Sequence, residues 1–212
     1  MPSSVTEEDI KKLREARYLT AEVLHRLPAR GQVVPTPKPD ENVVFVSHFL
    51  RGLGLTLDPF LRGLMFYYGP DFHDLAPDSF LHISTFIVVC EAFLRITPHF
   101  GLWLKTFEVQ PKMIDGQHAA CGGASIGEMA GAPWPKGSFP EVSELWQREW
   151  FYVTASRSAK WAAAPAFRSS PPPQLMSRIS RGLGWGLAKD VPILQSLIRD
   201  LFNGDFGLVA VI

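Results

Sequence analysis

Charge of one sign is what this 212-residue sequence lacks: 21 lysines and arginines face 21 aspartates and glutamates. A neutral chain carries no whole-molecule field to draw it to DNA or to an anionic membrane, and near-neutrality favours self-association. Cysteine is almost missing. Cys90 and Cys121 are the only two, too few for a disulfide framework and a pointer to a reducing compartment. The opening MPSSVTEEDIKK lacks the basic start and apolar core of a secretory signal. An intracellular protein is expected, in cytoplasm or nucleus. Cys-x-x-Cys, His-Glu-x-x-His and Gly-x-x-x-x-Gly-Lys do not occur, so no metal, cofactor or small-molecule substrate is expected.

A long uncharged run is also missing. The most apolar stretch, FLHISTFIVVCEAFLRI from Phe80 to Ile96, is 17 residues and includes His82, Glu91 and Arg95. A membrane span needs about 20 nearly uncharged residues, so a core helix is expected. Ile83, Phe86, Ile87, Cys90, Phe93 and Leu94 follow helical spacing and form one apolar face. Glu91 and Arg95 stand four apart on the other side, where they can pair. Cys90 lies on the packing face as ordinary core material. Thr97-Pro98 ends this helix and starts another.

What is present is an apolar fraction of 46%, enough for a substantial core. Residues 4–17 read as an exposed helix capped by Thr6 with Asp9. Residues 30–41, with three prolines, read as a linker, so 1–40 is an N-terminal helix plus a proline-rich connection. Asp40 could cap a helix through VVFVSHFLR, with a strand over Val43–Val46 as the competing reading. Asp58-Pro59 and Pro77-Asp78 open further helices. Glu141–Gln147 reads as a short helix, and Trp150–Ala155 as a strand pairing with part of 117–130. Asp190 caps a last helix. The expected fold is α+β, mainly α: a helical core over 41–110, a small antiparallel β element over 117–155, and a last helix over 190–203. Residues 206–212 read as a truncated end.

Candidate chemistry is sparse. Gly123-x-Ser125-x-Gly127 has the form of a nucleophile elbow, but all six histidines precede Ser125, the wrong order for that triad. A glycine-rich turn is the expectation. Cys90 with His99, or Cys121 with His118, would make a nucleophile pair only if the thiolate were exposed beside positive charge. Asp71-Phe-His73-Asp74 offers oxygen and nitrogen ligands, but without a third and fourth ligand at metal-site spacing it reads as a solvated loop. One imbalance stands out. From Trp146 to Lys189 there are seven basic residues and one acid. Arg148, Arg157, Lys160, Trp161, Arg168, Arg178 and Arg181 are the nucleic-acid candidates, by charge and stacking, among Trp150, Phe151, Tyr152, Phe167 and Trp185.

VVFVSHFLRGLGL (43–55), DPFLRGLMFYYG (58–69), LAPDSFLHISTFIVVCEAFLRITPHFGLWLKTF (75–107), CGGASIG (121–127), WPKGSFPE (134–141) and WQREWFYVT (146–154) together resemble the gypsy-type transposon domain of plant retroelements. The resemblance runs over about 41–205. It implies a place at the front of a gag-like retroelement protein, and it transfers no catalytic residue. The expected function is therefore a non-enzymatic, retroelement-derived gag-like module that acts by assembly with itself or other gag-like chains. A nucleic-acid-binding module built on 146–189 is the alternative, and a cysteine-dependent enzyme the third.

Overall fold

A computed structural model describes residues 1–55, 58–114, 117–118, 121–134, 142–154 and 191–203. Helix α1, Glu7–Glu15, starts where Thr6 and Asp9 exchange side-chain and backbone hydrogen bonds. Its charged side is exposed, as the sequence suggests, and its other side is not. Ile10 and Leu13, three apart on one side, are fully buried in the main core. Ser3 and Ser4 tie the chain before it to the backbone of Trp150 and Arg148.

Strand β1, Leu24–Arg26, and strand β2, Glu41–Phe45, both pair antiparallel with β7, Trp150–Thr154, which lies between them. The β-branched pair Val43 and Val44 settles the strand-or-helix contest. The strand ends at Phe45, and helix α2, Val46–Leu50, follows directly. The expected strand at 150–154 forms, but its partners are β1 and β2 rather than residues 117–130.

Helix α3, Pro59–Tyr68, begins with the Phe60 amide donating to Asp58 Oδ1 at 2.7 Å, followed by proline at the first helical position. It ends at Gly69, whose φ of 74° is left-handed. Helix α4, Pro77–Val88, continues into a π-helical turn, Val89–Leu94, that stops at Arg95 with φ 56°. This turn breaks the four-residue spacing, so Glu91 and Arg95 form no ion pair. Cys90 is fully buried, as its face predicts. Helix α5, Phe100–Thr106, is capped by His99, whose Nδ1 accepts from the Leu102 amide at 3.1 Å.

Strand β3, Phe107–Pro111, pairs with β6, Ala124–Glu128, and the short β4, Met113–Ile114, pairs with β5, Gln117–His118. Helix α6, Val191–Asn203, packs on α5 and the π turn. The expectation of a mainly helical protein is therefore corrected to a mixed α/β fold, 44% helix and 16% strand among the described residues. The difference comes from segments 24–26 and 41–45, whose two strands complete a sheet around β7. Strands β1 and β2 bring the proline-containing connection between them onto that sheet. The Tyr152 hydroxyl accepts from the Thr36 amide at 2.8 Å and from Gln32 Nε2 at 2.9 Å.

The core is aromatic. Trp103, Phe86, Phe107, Trp134 and Phe60 pack ring against ring, at centroid distances from 4.5 Å for Trp103–Phe107 to 6.0 Å for Phe86–Phe107. Pro77–Leu94 is long and apolar enough to be tested as a membrane crossing, and half of it is buried inside the fold. Helix α4 packs on α2 and β6, which is the position of a core helix.

Candidate functional site

Two of the polar side chains that the fold buries, His73 and Asp74, lie between α3 and α4. After Gly69-Pro70 the chain makes a single 3-10 turn, Phe72–Asp74. The Asp74 amide donates to the Asp71 carbonyl at 3.0 Å, and the Asp71 amide donates to Asp74 Oδ2 at 2.9 Å. Strand β6 then fastens the loop. The Gly122 amide donates to the His73 carbonyl and the Ala76 amide to the Ala124 carbonyl, both at 2.8 Å. The Ile126 amide donates to the buried Ser79 Oγ at 3.0 Å. Because its backbone is satisfied in this way, a loop of polar letters can be buried. His73 is 4% exposed and Asp74 is 0% exposed, so the expectation of a solvated loop is corrected.

One ligand atom each from Asp71, His73 and Asp74 lies within 4.8 Å of the others. His73 Nε2 stands 3.5 Å from Asp74 Oδ1. His48 of α2 is fully buried and ringed by Phe80 at 4.5 Å, Phe45 at 5.0 Å and Trp146 at 5.6 Å. Burial pushes its pKa down to about 3, and the neighbouring His73 acts in the same direction. Hydrogen bonding with the Leu75 backbone opposes this shift only partly. Trp146 can close on this site only because residue 122 is glycine. Gly122 has φ 66°, and a Cβ there would sit 2.6 Å from the indole.

Neither cysteine is set up as a nucleophile. Burial first, then the Asp74 carboxylate, push the Cys121 thiol up to about 12. Burial pushes Cys90 up to about 11, and the His99 backbone only partly opposes this. Thiols with such values stay protonated near neutral pH. His99 spends its ring nitrogen on the α5 cap. Ser125 lies within β6, opposite Gln110, and not at a strand-to-helix corner.

Of the nucleic-acid candidates, Arg148 is described: it is partly buried, and its Nε donates to Met1 Sδ at 2.9 Å. Arg157, Lys160, Trp161, Arg168, Arg178 and Arg181 lie outside the described residues. Trp150, Phe151 and Tyr152 are at most 2% exposed, so they offer no stacking surface. His48 escaped sequence reading. Its only signal was one polar ring inside the apolar run VVFVSHFL, where a buried partner for it cannot be seen.

Residues 43–111 match the family model described as "Putative gypsy type transposon". This segment is similar to the gypsy-type transposon domain. The match is shorter than the resemblance noted over 41–205. It runs from β2 to the end of β3 and holds His48, Asp71, His73 and Asp74. The gypsy-type segment therefore supplies the polar side chains of the cluster, and Cys121, Gly122 and Trp146 close it from beyond the match. No curated protein matches the chain, and no solved structure does.

Proposed function

We propose that the chain is a retroelement-derived, gag-like module that works by protein–protein assembly, with itself or with related chains, and not by catalysis. The observation that carries this reading is helix α6. Val191 and Ile198 are buried against the body, while Ile193 is 60% exposed and Leu197 48% exposed one turn apart. An exposed apolar pair of this kind, on a helix whose other side packs on the body, suits a partner surface. The raised pKa values of both thiols are in keeping with a non-catalytic role. Light scattering tests the reading: mass should rise with concentration, and Ile193→Glu with Leu197→Glu should abolish the rise while the fold persists. A wild-type chain that stays monomeric throughout counts against assembly.

A second reading rests on the seven basic residues against one acid between Trp146 and Lys189. In this reading Arg148, Arg157, Lys160, Trp161, Arg168, Arg178 and Arg181 contact single-stranded nucleic acid. Salt-sensitive binding of single-stranded RNA, weakened by Arg157→Glu and Arg168→Glu, would favour it.

A further inference from the structure

We propose that Thr36 is a phosphorylation site, the acceptor for a protein kinase of the class that requires proline directly after the target hydroxyl. Thr36 lies in Val33-Val34-Pro35-Thr36-Pro37-Lys38-Pro39, within the connection between β1 and β2. Val33, Val34, Thr36, Lys38 and Pro39 are exposed, and none of them belongs to a helix or strand. A kinase takes its target as an extended chain. Pro37 holds the residue before it out of the helical region, and Pro35 and Pro37 fix their own φ. The segment is therefore extended before any kinase arrives, and little is left to order on binding.

The backbone of Thr36 is committed to the body, and its hydroxyl proton is not. The Thr36 amide donates to the Tyr152 hydroxyl at 2.8 Å, and its carbonyl accepts from Arg26 Nη2 at 3.4 Å. Thr36 Oγ1 accepts from Gln32 Nε2 at 2.8 Å and donates to no group among the described residues. In the transfer, Oγ1 attacks the γ-phosphorus of ATP and the bond from that phosphorus to the bridging oxygen breaks. ADP leaves, and the hydroxyl proton passes to the catalytic carboxylate of the kinase. The other Thr-Pro pair, Thr97-Pro98, is placed differently. The π-helical turn ends just before it at the left-handed Arg95, and His99 caps α5 directly after it. Thr97 is thereby flanked by helical turns and cannot be offered as an extended chain.

The surroundings of Thr36 also suit a phosphate. The group brings nearly two negative charges and three strong acceptor oxygens. Arg26 already reaches the carbonyl of the same residue, and the exposed Lys38 follows two positions later. Charge-assisted hydrogen bonds from Arg26 would hold the phosphate at the point where that guanidinium meets Glu41. Modification would thus act on the contact that joins β1 to β2.

The test incubates the folded full chain with ATP and a mitogen-activated protein kinase, which requires that proline, and maps the product by mass spectrometry. A single phosphate on Thr36 is expected. Thr36→Val should lose it, and Pro37→Ala should lose most of it. A folded chain that takes no phosphate at Thr36 overturns the proposal. So does labelling of Thr97 or Ser170 in its place, or labelling of Thr36 only after the chain is unfolded. Phosphorus NMR then reads the Arg26 contact. The phosphate should lose its second proton at lower pH in the chain than in a phosphorylated peptide of residues 33–39. Arg26→Gln should remove that difference. Equal titration in chain and peptide would overturn the contact with Arg26.

Discussion

At the scale of single residues, the fold depends on polar groups that find partners far away in the chain. Glu41 is buried at 4% exposure and receives the Arg26 guanidinium, with Arg26 Nε 2.7 Å from Glu41 Oε1. The same guanidinium lies 3.7 Å over the Tyr152 ring, so β1, β2 and β7 are cross-linked at one point. Hydrogen bonding from Arg26 lowers the Glu41 pKa below its ordinary 4.5, and burial opposes this only partly. The stabilisation is therefore complete above about pH 4.5 and is lost as pH falls through the lower folded value. Arg26→Gln should cost about 1–2 kcal/mol near neutral pH, allowing for the one-third exposure of the arginine side chain. It should also flatten the acid limb of a urea-midpoint profile. An unchanged acid limb in the variant would show that other carboxylates set it.

At the scale of elements, helix starts were legible because their chemistry is local. Asp58-Pro59 and Gly69 bound α3, and the Thr6–Asp9 pair opens α1, each where the residues themselves require it. Asp58→Ala should destabilise the chain by about 1 kcal/mol through loss of the cap on the Phe60 amide, read as a lower thermal midpoint. No shift at all would mean that packing alone holds α3 in place. Features set by distant partners were not legible. Leu24-His25-Arg26 is too short to show alternation, and it becomes β1 only because β7 has an open side. Asp71–Asp74 reads as a water-facing loop until β6 closes its hydrogen bonds. The π turn at Val89–Leu94 has no punctuation of its own, since Cys90, Ala92 and Leu94 suit an α-helix equally. The aromatics at 150–152 fit a core or a stacking platform by composition, and their place in the central strand decides for the core.

At the scale of the whole molecule, the gypsy-type segment is not a self-sufficient unit. Its first strand, β2, pairs with β7, and its last, β3, pairs with β6. Phe49 within it stacks on Phe151 outside it, 5.8 Å between centroids. A fragment of residues 43–111 should therefore lack a cooperative unfolding transition, whereas the full chain should show one. Cooperative unfolding of the fragment would show that the flanking strands are dispensable. The structured body leaves the apolar Ile193–Leu197 side of α6 facing outward, and the assembly reading depends on that side. Its most direct test is light-scattering mass as a function of concentration. The account predicts a mass that climbs above the monomer for the native chain and stays at the monomer for the Ile193→Glu, Leu197→Glu variant. A native chain that remains monomeric at every concentration, or a variant that associates as the native chain does, would contradict it.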